Sequence, residues 1–186
     1  SVLKAVSPLS GFSAEINKVT ISEVSGRSLV SIAVPNSGLA ALKAAIKKQL
    51  NLDLPEPGQT TDSKSGNAML IWASPDQYLF SFDEKDNMPS ETVGKLLNGK
   101  AYVTDQSDAW VTLKISGERK LEALERICPI NLHPDVFKTG MAARTMMEHL
   151  GVLVIRDEND SFLLLSARST AGSLLHAIET SAKNLH

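Results

Sequence analysis

The chain has 186 residues, 42% hydrophobic and 22% charged, which is enough for one sizeable core and argues against disorder over most of its length. Its 19 basic and 21 acidic residues nearly cancel and neither sign forms a long block, so no nucleic-acid-binding footprint is suggested. A single cysteine, Cys128, excludes an internal disulfide framework and a cysteine-rich zinc site, and fits a reducing cytoplasm.

The opening SVLKAVSPLSGF has too short an apolar run for a signal peptide, and no stretch approaches the roughly 18 apolar residues of a membrane span, so a soluble, unexported protein is expected. Residues 1–14 mix Pro8, Gly11 and serines and suggest an N-terminal arm that needs something to lie on. Residues 16–24 and 29–34 alternate as strands joined around Ser25-Gly26. After Pro35, with Asn36 or Ser37 as a candidate cap, Leu39, Leu42, Ile46 and Leu50 recur at helical spacing while Lys43, Lys47 and Lys48 point elsewhere. Residues 55–67, rich in Pro, Gly, Thr, Ser and Lys, predict a long surface loop.

Residues 68–72 and 77–82 predict a hairpin closed around Pro75-Asp76, where Pro presets φ and Asp can bond back to the backbone. After the polar 83–87, Pro89-Ser90 starts a helix carrying Val93, Leu96 and Leu97, and Asn98-Gly99 closes it. The run YVTDQSDAWVTLKISG from Tyr102 then breaks at a polar corner, Asp105-Gln106-Ser107-Asp108, between two strands. In the second strand Val111, Leu113 and Ile115 share a core face and Trp110, Thr112 and Lys114 the other. Leu121, Leu124 and Ile127 mark a helix ending at Cys128-Pro129, and a polar connector leads to strands at 142–147 and 149–156. The latter is apolar on both faces and predicted to be buried on both. A turn at 157–160, a strand at 162–167 and a helix capped by Ser169 or Thr170 complete the chain.

LVSIAVPNSGLAALKAAIKKQLNL, from Leu29, and AWVTLKISGERKLEALERICPINL, from Ala109, share a strand, a Ser/Gly break, an Ala-Leu helix and a closing Asn-Leu. The chain therefore reads as a duplication, one α+β unit over 15–182 built from two β-β-α-β-β-(β)-α repeats of about 15–100 and 101–182.

Chemistry is less legible than architecture. His133, His149, His176 and His186 lack the spacing of a zinc motif, and no phosphate loop or G-x-G-x-x-G arrangement supports nucleotide or flavin binding. Cys128, at the end of an apolar helical stripe, fits a small buried hydrophobe better than a nucleophile. Asp105, Ser107 and Asp108 form the best polar cluster, but such residues at corners more often bond their own backbone than act as acid and base. Arg144 and Thr145 before a strand, and Arg168 after one, can pair with a partner chain or simply face solvent. Trp72 and Trp110, placed on the less apolar faces of their strands, are candidate interface anchors, with core packing the default for both.

IWASPDQYLF (from Ile71), VTDQSDAWVTLKISG (from Val103), CPINLHPDVFKTG (from Cys128), ARTMMEHLGVLVIR (from Ala143) and FLLLSARSTAGSLLHAI (from Phe162) together resemble the gamma-subunit family of heterotetrameric sarcosine oxidases. That family is in turn similar to the folate-binding domain of the glycine-cleavage aminomethyltransferase, which implies two repeats that exchange their first strands in mainly antiparallel sheets covered by helices. The resemblance implies a non-catalytic subunit of a complex that oxidatively demethylates sarcosine to glycine, releasing hydrogen peroxide and passing a one-carbon unit to tetrahydrofolate. FAD, FMN, NAD, tetrahydrofolate and zinc are then expected in the alpha, beta and delta partner subunits, with none bound by this chain. Asn131 departs from an aspartate frequent in relatives, and no folate-binding carboxylate maps onto this sequence. The N-terminal arm and the tryptophans are candidate contacts in an apolar interface of more than about 2,000 Å². The alternative is a stand-alone folate-binding or aminomethyl-transfer protein of the same superfamily.

Overall fold

The computed structural model describes residues 6–83, 88–157 and 160–186. The first five residues of the expected arm, most of the 83–87 link and the middle of the 157–160 turn lie outside the described residues. The first half of the chain runs β1 (Ser13–Ile16), β2 (Val19–Glu23), β3 (Arg27–Ala33), α1 (Leu39–Leu50), β4 (Thr60–Asp62), β5 (Ala68–Ser74), β6 (Gln77–Asp83) and α2 (Pro89–Leu97). It continues with β7 (Tyr102–Asp105), β8 (Trp110–Ser116), α3 (Lys120–Glu125), β9 (Ala142–Met147), β10 (Leu150–Arg156), β11 (Phe162–Ala167) and α4 (Ala171–Lys183).

Two compact units result, a middle one over Gly26–Asp108 and a terminal one joining the chain up to Ser25 with Ala109–His186. Sequence repeats and spatial units part at different residues because leading strands are exchanged. The β1-β2 hairpin pairs through β2 with β8 of the second repeat, and β7 pairs with β3 of the first. This is the α+β exchange that the resemblance implies.

The middle sheet is ordered β4-β5-β6-β3-β7, with antiparallel neighbours. Leu42 and Ile46 of α1 and Val93 and Leu97 of α2 pack with Val30, Ile32, Leu70 and Phe80 in one apolar cluster. Each fully buried side chain of this kind contributes about 1.5–3 kcal/mol. The β5-β6 hairpin turns at Pro75-Asp76, with Asp76 at φ 58°. Both helices stop on asparagines in the left-handed region, Asn51 and Asn98, where the short amide tolerates positive φ. Neither expected side chain caps α1: Gly38 sits at its N-cap, and the turn is closed by Gly38 N–H to the Pro35 carbonyl at 2.8 Å. The loop at 55–67 contains β4, a three-residue strand whose backbone pairs with β5 despite carrying no apolar pattern.

The terminal sheet is ordered β1-β2-β8-β11-β10-β9, again antiparallel throughout. Leu124 of α3 and Leu174 and Ile178 of α4 close one apolar cluster with Leu113, Ile115, Val154, Phe162 and Leu164. Leu153 and Ile155, pointing to the opposite face, are also buried, as the two-faced apolar pattern of β10 predicts. The single strand expected at 16–24 is instead a hairpin, because Asn17 and Lys18 both adopt positive φ and reverse the chain. Glu148 and His149 make the corresponding turn between β9 and β10, so His149 belongs to the turn rather than opening the strand.

Candidate interaction surface

The polar corner is a hydrogen-bonded turn of the middle unit. Ser107 donates from both its backbone N–H (2.9 Å) and its hydroxyl (2.7 Å) to Asp105 Oδ1, and its Oγ accepts from the Leu29 N–H at 3.0 Å. Gln106 N–H reaches the Leu29 carbonyl at 2.8 Å, so the corner extends the β7-β3 ladder and fixes where β7 ends. Asp105 is thereby engaged within its own turn, an arrangement of a backbone-shaping Asp-x-Ser motif rather than of an acid-base pair.

The other sequence-selected residues do not converge on one place. In the terminal unit the Arg144 guanidinium lies over the Trp110 ring, 5.9 Å from its centroid, joining edge strand β9 to β8 on the face away from the helices. Thr145, the next residue of β9, stands opposite Val152 on the other face. Arg168 follows β11; its N–H bonds the Ala109 carbonyl at 2.9 Å and its guanidinium donates to the Val6 carbonyl, holding the arm at its first described residue. Trp72, in the middle unit, packs beside Leu70 against the helix-covered core. It does not occupy a less apolar face, because β5 is buried on both: Leu70 and Ile71 are each at most 1% exposed.

The arm has its own anchor, which the sequence did not signal. The Glu23 carboxylate, at the end of β2, accepts from Ser7 Oγ (2.9 Å), Leu9 N–H (3.1 Å) and Gly11 N–H (2.7 Å), while Leu9 and Phe12 pack on the terminal core. A second unforeseen cluster surrounds Arg156, whose side chain is 9% exposed. Its guanidinium donates to the carbonyls of Leu132 (3.3 Å) and Phe137 (3.2 Å) and pairs with Asp160, tying the polar connector to the β10-β11 turn. Hydrogen bonds from Arg156 and then Lys120 hold the Asp160 carboxyl below the usual carboxylate range. Beside it the buried Asp157 accepts from the Ser161 hydroxyl at 2.6 Å and pairs with Lys114 at 3.4 Å.

Within the connector, Asn131 Oδ1 accepts the His133 N–H at 3.0 Å. An aspartate at this position would accept the same bond. Burial raises the Cys128 thiol above its ordinary range, disfavouring the thiolate. Among the described residues no group of three or more His, Cys, Asp or Glu side chains gathers as metal ligands would, and no helix is long and apolar enough to cross a membrane. A depression of about 350 Å³ lies among Arg119, Glu122, Arg126, Leu185 and His186, where Arg119 is engaged by Glu122 at 2.6 Å.

The fold and these surfaces define a duplicated, strand-exchanged α+β module. Over 84% of its length the chain resembles glycine cleavage system aminomethyltransferase T from Bartonella henselae (TM-score 0.58, 12% identity, 44% of that chain). It also matches, over 98% of both chains, a chain of heterotetrameric sarcosine oxidase from Corynebacterium sp. U-96 in complex with pyrrole 2-carboxylate (TM-score 0.81, 24% identity). The model of the sarcosine oxidase, gamma subunit family matches residues 36–183. Sarcosine oxidase subunit gamma of Arthrobacter sp. is 32% identical over 150 residues, 79% of this chain and 71% of its own, and that of Corynebacterium sp. (strain P-1) is 31% identical over 145 residues, 77% and 70%. The chain belongs to the sarcosine oxidase gamma subunit family.

Proposed function

We propose that this chain is the non-catalytic gamma subunit of a heterotetrameric, cytoplasmic sarcosine oxidase, docking on larger alpha and beta subunits beside a small delta subunit. Family membership, shared with relatives that are gamma subunits over most of their length, carries the reading. The polar residues selected from the sequence serve local architecture: Asp105 and Ser107 end a strand, Arg144 covers a tryptophan and Arg168 holds the arm. In this role the chain is a scaffold, and FAD, FMN, NAD, tetrahydrofolate and zinc are held by the partner subunits. The complex as a whole oxidises sarcosine to glycine with release of hydrogen peroxide and transfer of a one-carbon unit to tetrahydrofolate.

Coexpression with the alpha, beta and delta subunits tests this. The tagged gamma chain is expected to recover all three in equal amounts, with sarcosine-dependent peroxide production in the recovered complex. A chain that stays monomeric and recovers none of them overturns the proposal. Tetrahydrofolate titrated into the isolated chain is expected to release no heat and to leave Trp72 and Trp110 fluorescence unchanged; tight binding would instead favour the stand-alone folate-binding protein.

A further inference from the structure

The outward face of α1 carries charge of one sign only. Leu42 and Ile46 point into the middle core, and the exposed positions carry one leucine, three alanines, three lysines and Gln49, with no acidic residue. Leu39, Lys43 and Lys47 fall at i, i+4 and i+8, one row along the helix, and Ala40, Ala44 and Lys48 form the adjacent row. The face is therefore apolar at its N-terminal end, where Leu39 is 47% exposed, and cationic at its C-terminal end. Lys47 and Lys48 in the last turn favour the helix dipole, but Lys43 lies mid-helix, beyond that effect. Exposed helix faces commonly balance such lysines with glutamates one turn away, as Glu91 does for Lys95 on α2 at 3.5 Å. On α1 the nearby carboxylate is Asp53, past the helix end and paired with Lys47 at 2.9 Å.

The helix layer also carries exposed apolar side chains. Of the seven exposed large hydrophobics among the described residues, three belong to α1, α2 or the α2 cap: Leu39, Met88 and Leu96. α2 packs against α1, so the two helices form one layer over the middle sheet. A local excess of cations in a chain of net charge −2 is a segregation of charge, and the surface complementary to it is rich in carboxylates. The short alanines of α1 let a partner's atoms approach closely enough for dispersion contact.

We infer that this face of α1 docks an acidic patch on one of the larger partner subunits; the inference rests on the gamma-subunit reading above. Lys43 and Lys48 supply the long-range attraction, and Leu39 supplies the desolvated contact.

The test uses the coexpressed complex. K43E/K48E is expected to lower recovery of the larger subunits about tenfold at moderate salt, consistent with like-charge repulsion across an interface. K43R/K48R is expected to retain wild-type recovery, and raising sodium chloride to loosen the wild-type complex. Lys47 is left unchanged because of its bond to Asp53. Circular dichroism and thermal unfolding of the isolated K43E/K48E chain are expected to match wild type, and K64E/K138E provides a charge-reversed control at other sites. Recovery by K43E/K48E equal to wild type overturns the docking face while leaving the subunit assignment standing. Wild-type chain that recovers no larger subunit overturns both, and concentration-dependent self-association abolished by K43E/K48E overturns the occupant in favour of a second copy.

Discussion

In the terminal unit the charges nearest the core face one another: Arg156 and Asp157, each 9% exposed at the side chain, are engaged by Asp160, Lys114, Ser161 and two backbone carbonyls. In the middle unit the corresponding charges face outward. Its ion pairs, Arg27–Asp83, Lys47–Asp53 and Lys95–Glu91, are far more exposed, and α1 keeps two further lysines, Lys43 and Lys48, on its surface. The two repeats began from one pattern, yet one closes a partly buried ionic latch over its connector and the other presents a cationic helix. The difference follows from length and turn chemistry. α3 has only 6 residues and hands over to a connector that must be fastened, whereas α1 runs for 12 and shares the cover of its sheet with α2.

The strand-to-helix breaks separate the units most sharply. Gly117 has φ +98°, and a Cβ there would lie 2.3 Å from the Lys18 carbonyl oxygen. Gly38, in the matching break of the middle unit, has φ −90° and its nearest outside atom at 3.0 Å. Gly117→Ala is therefore expected to destabilise by about 2–6 kcal/mol through left-handed strain and overlap with backbone. Gly38→Ala should change stability by no more than about 1 kcal/mol, helix propensity and crowding opposing each other. Each unit holds one tryptophan, so urea unfolding of Trp72→Phe and Trp110→Phe backgrounds reports the two separately. Equal shifts for the two glycine variants would break the comparison.

Arg156→Met is expected to cost about 2–4 kcal/mol, since the Leu132 and Phe137 carbonyls and Asp160 all lose their donor. The Trp110 signal should register it first. Ser107→Ala, which strips the Leu29 N–H of its acceptor in the middle unit, should cost about 1–2 kcal/mol and register first at Trp72. The smallest effect concerns acid. Asp160 has a folded pKa below its unfolded one, so its contribution is present above the unfolded value and is lost as pH falls through the folded value. Wild type and Asp160→Asn should differ in urea midpoint near neutral pH and converge below about pH 4, the ordinary aspartate pKa. A constant gap down to pH 3 would show that the carboxylate charge does not hold the latch.

Periodicity alone placed most of the strands and all the longer helices, because each buries a regular stripe: Leu42 and Ile46 in α1, Leu174 and Ile178 in α4, alternate residues in β8. The Pro75-Asp76 hairpin and the Asn98 stop were legible for a local reason, since those side chains restrict or tolerate the required φ whatever surrounds them. The duplication was legible as well, and so was the likeness to a gamma-subunit family, borne out by relatives about 30% identical. Tertiary structure decided what depends on partners distant in sequence. β4 is a strand because β5 completes its backbone hydrogen bonds, the arm is held because Glu23 supplies a carboxylate, and Trp72 turns inward because both faces of β5 are covered. Arg156 is buried because two carbonyls and an aspartate converge on it from the connector and the next turn, an arrangement that no local pattern can announce.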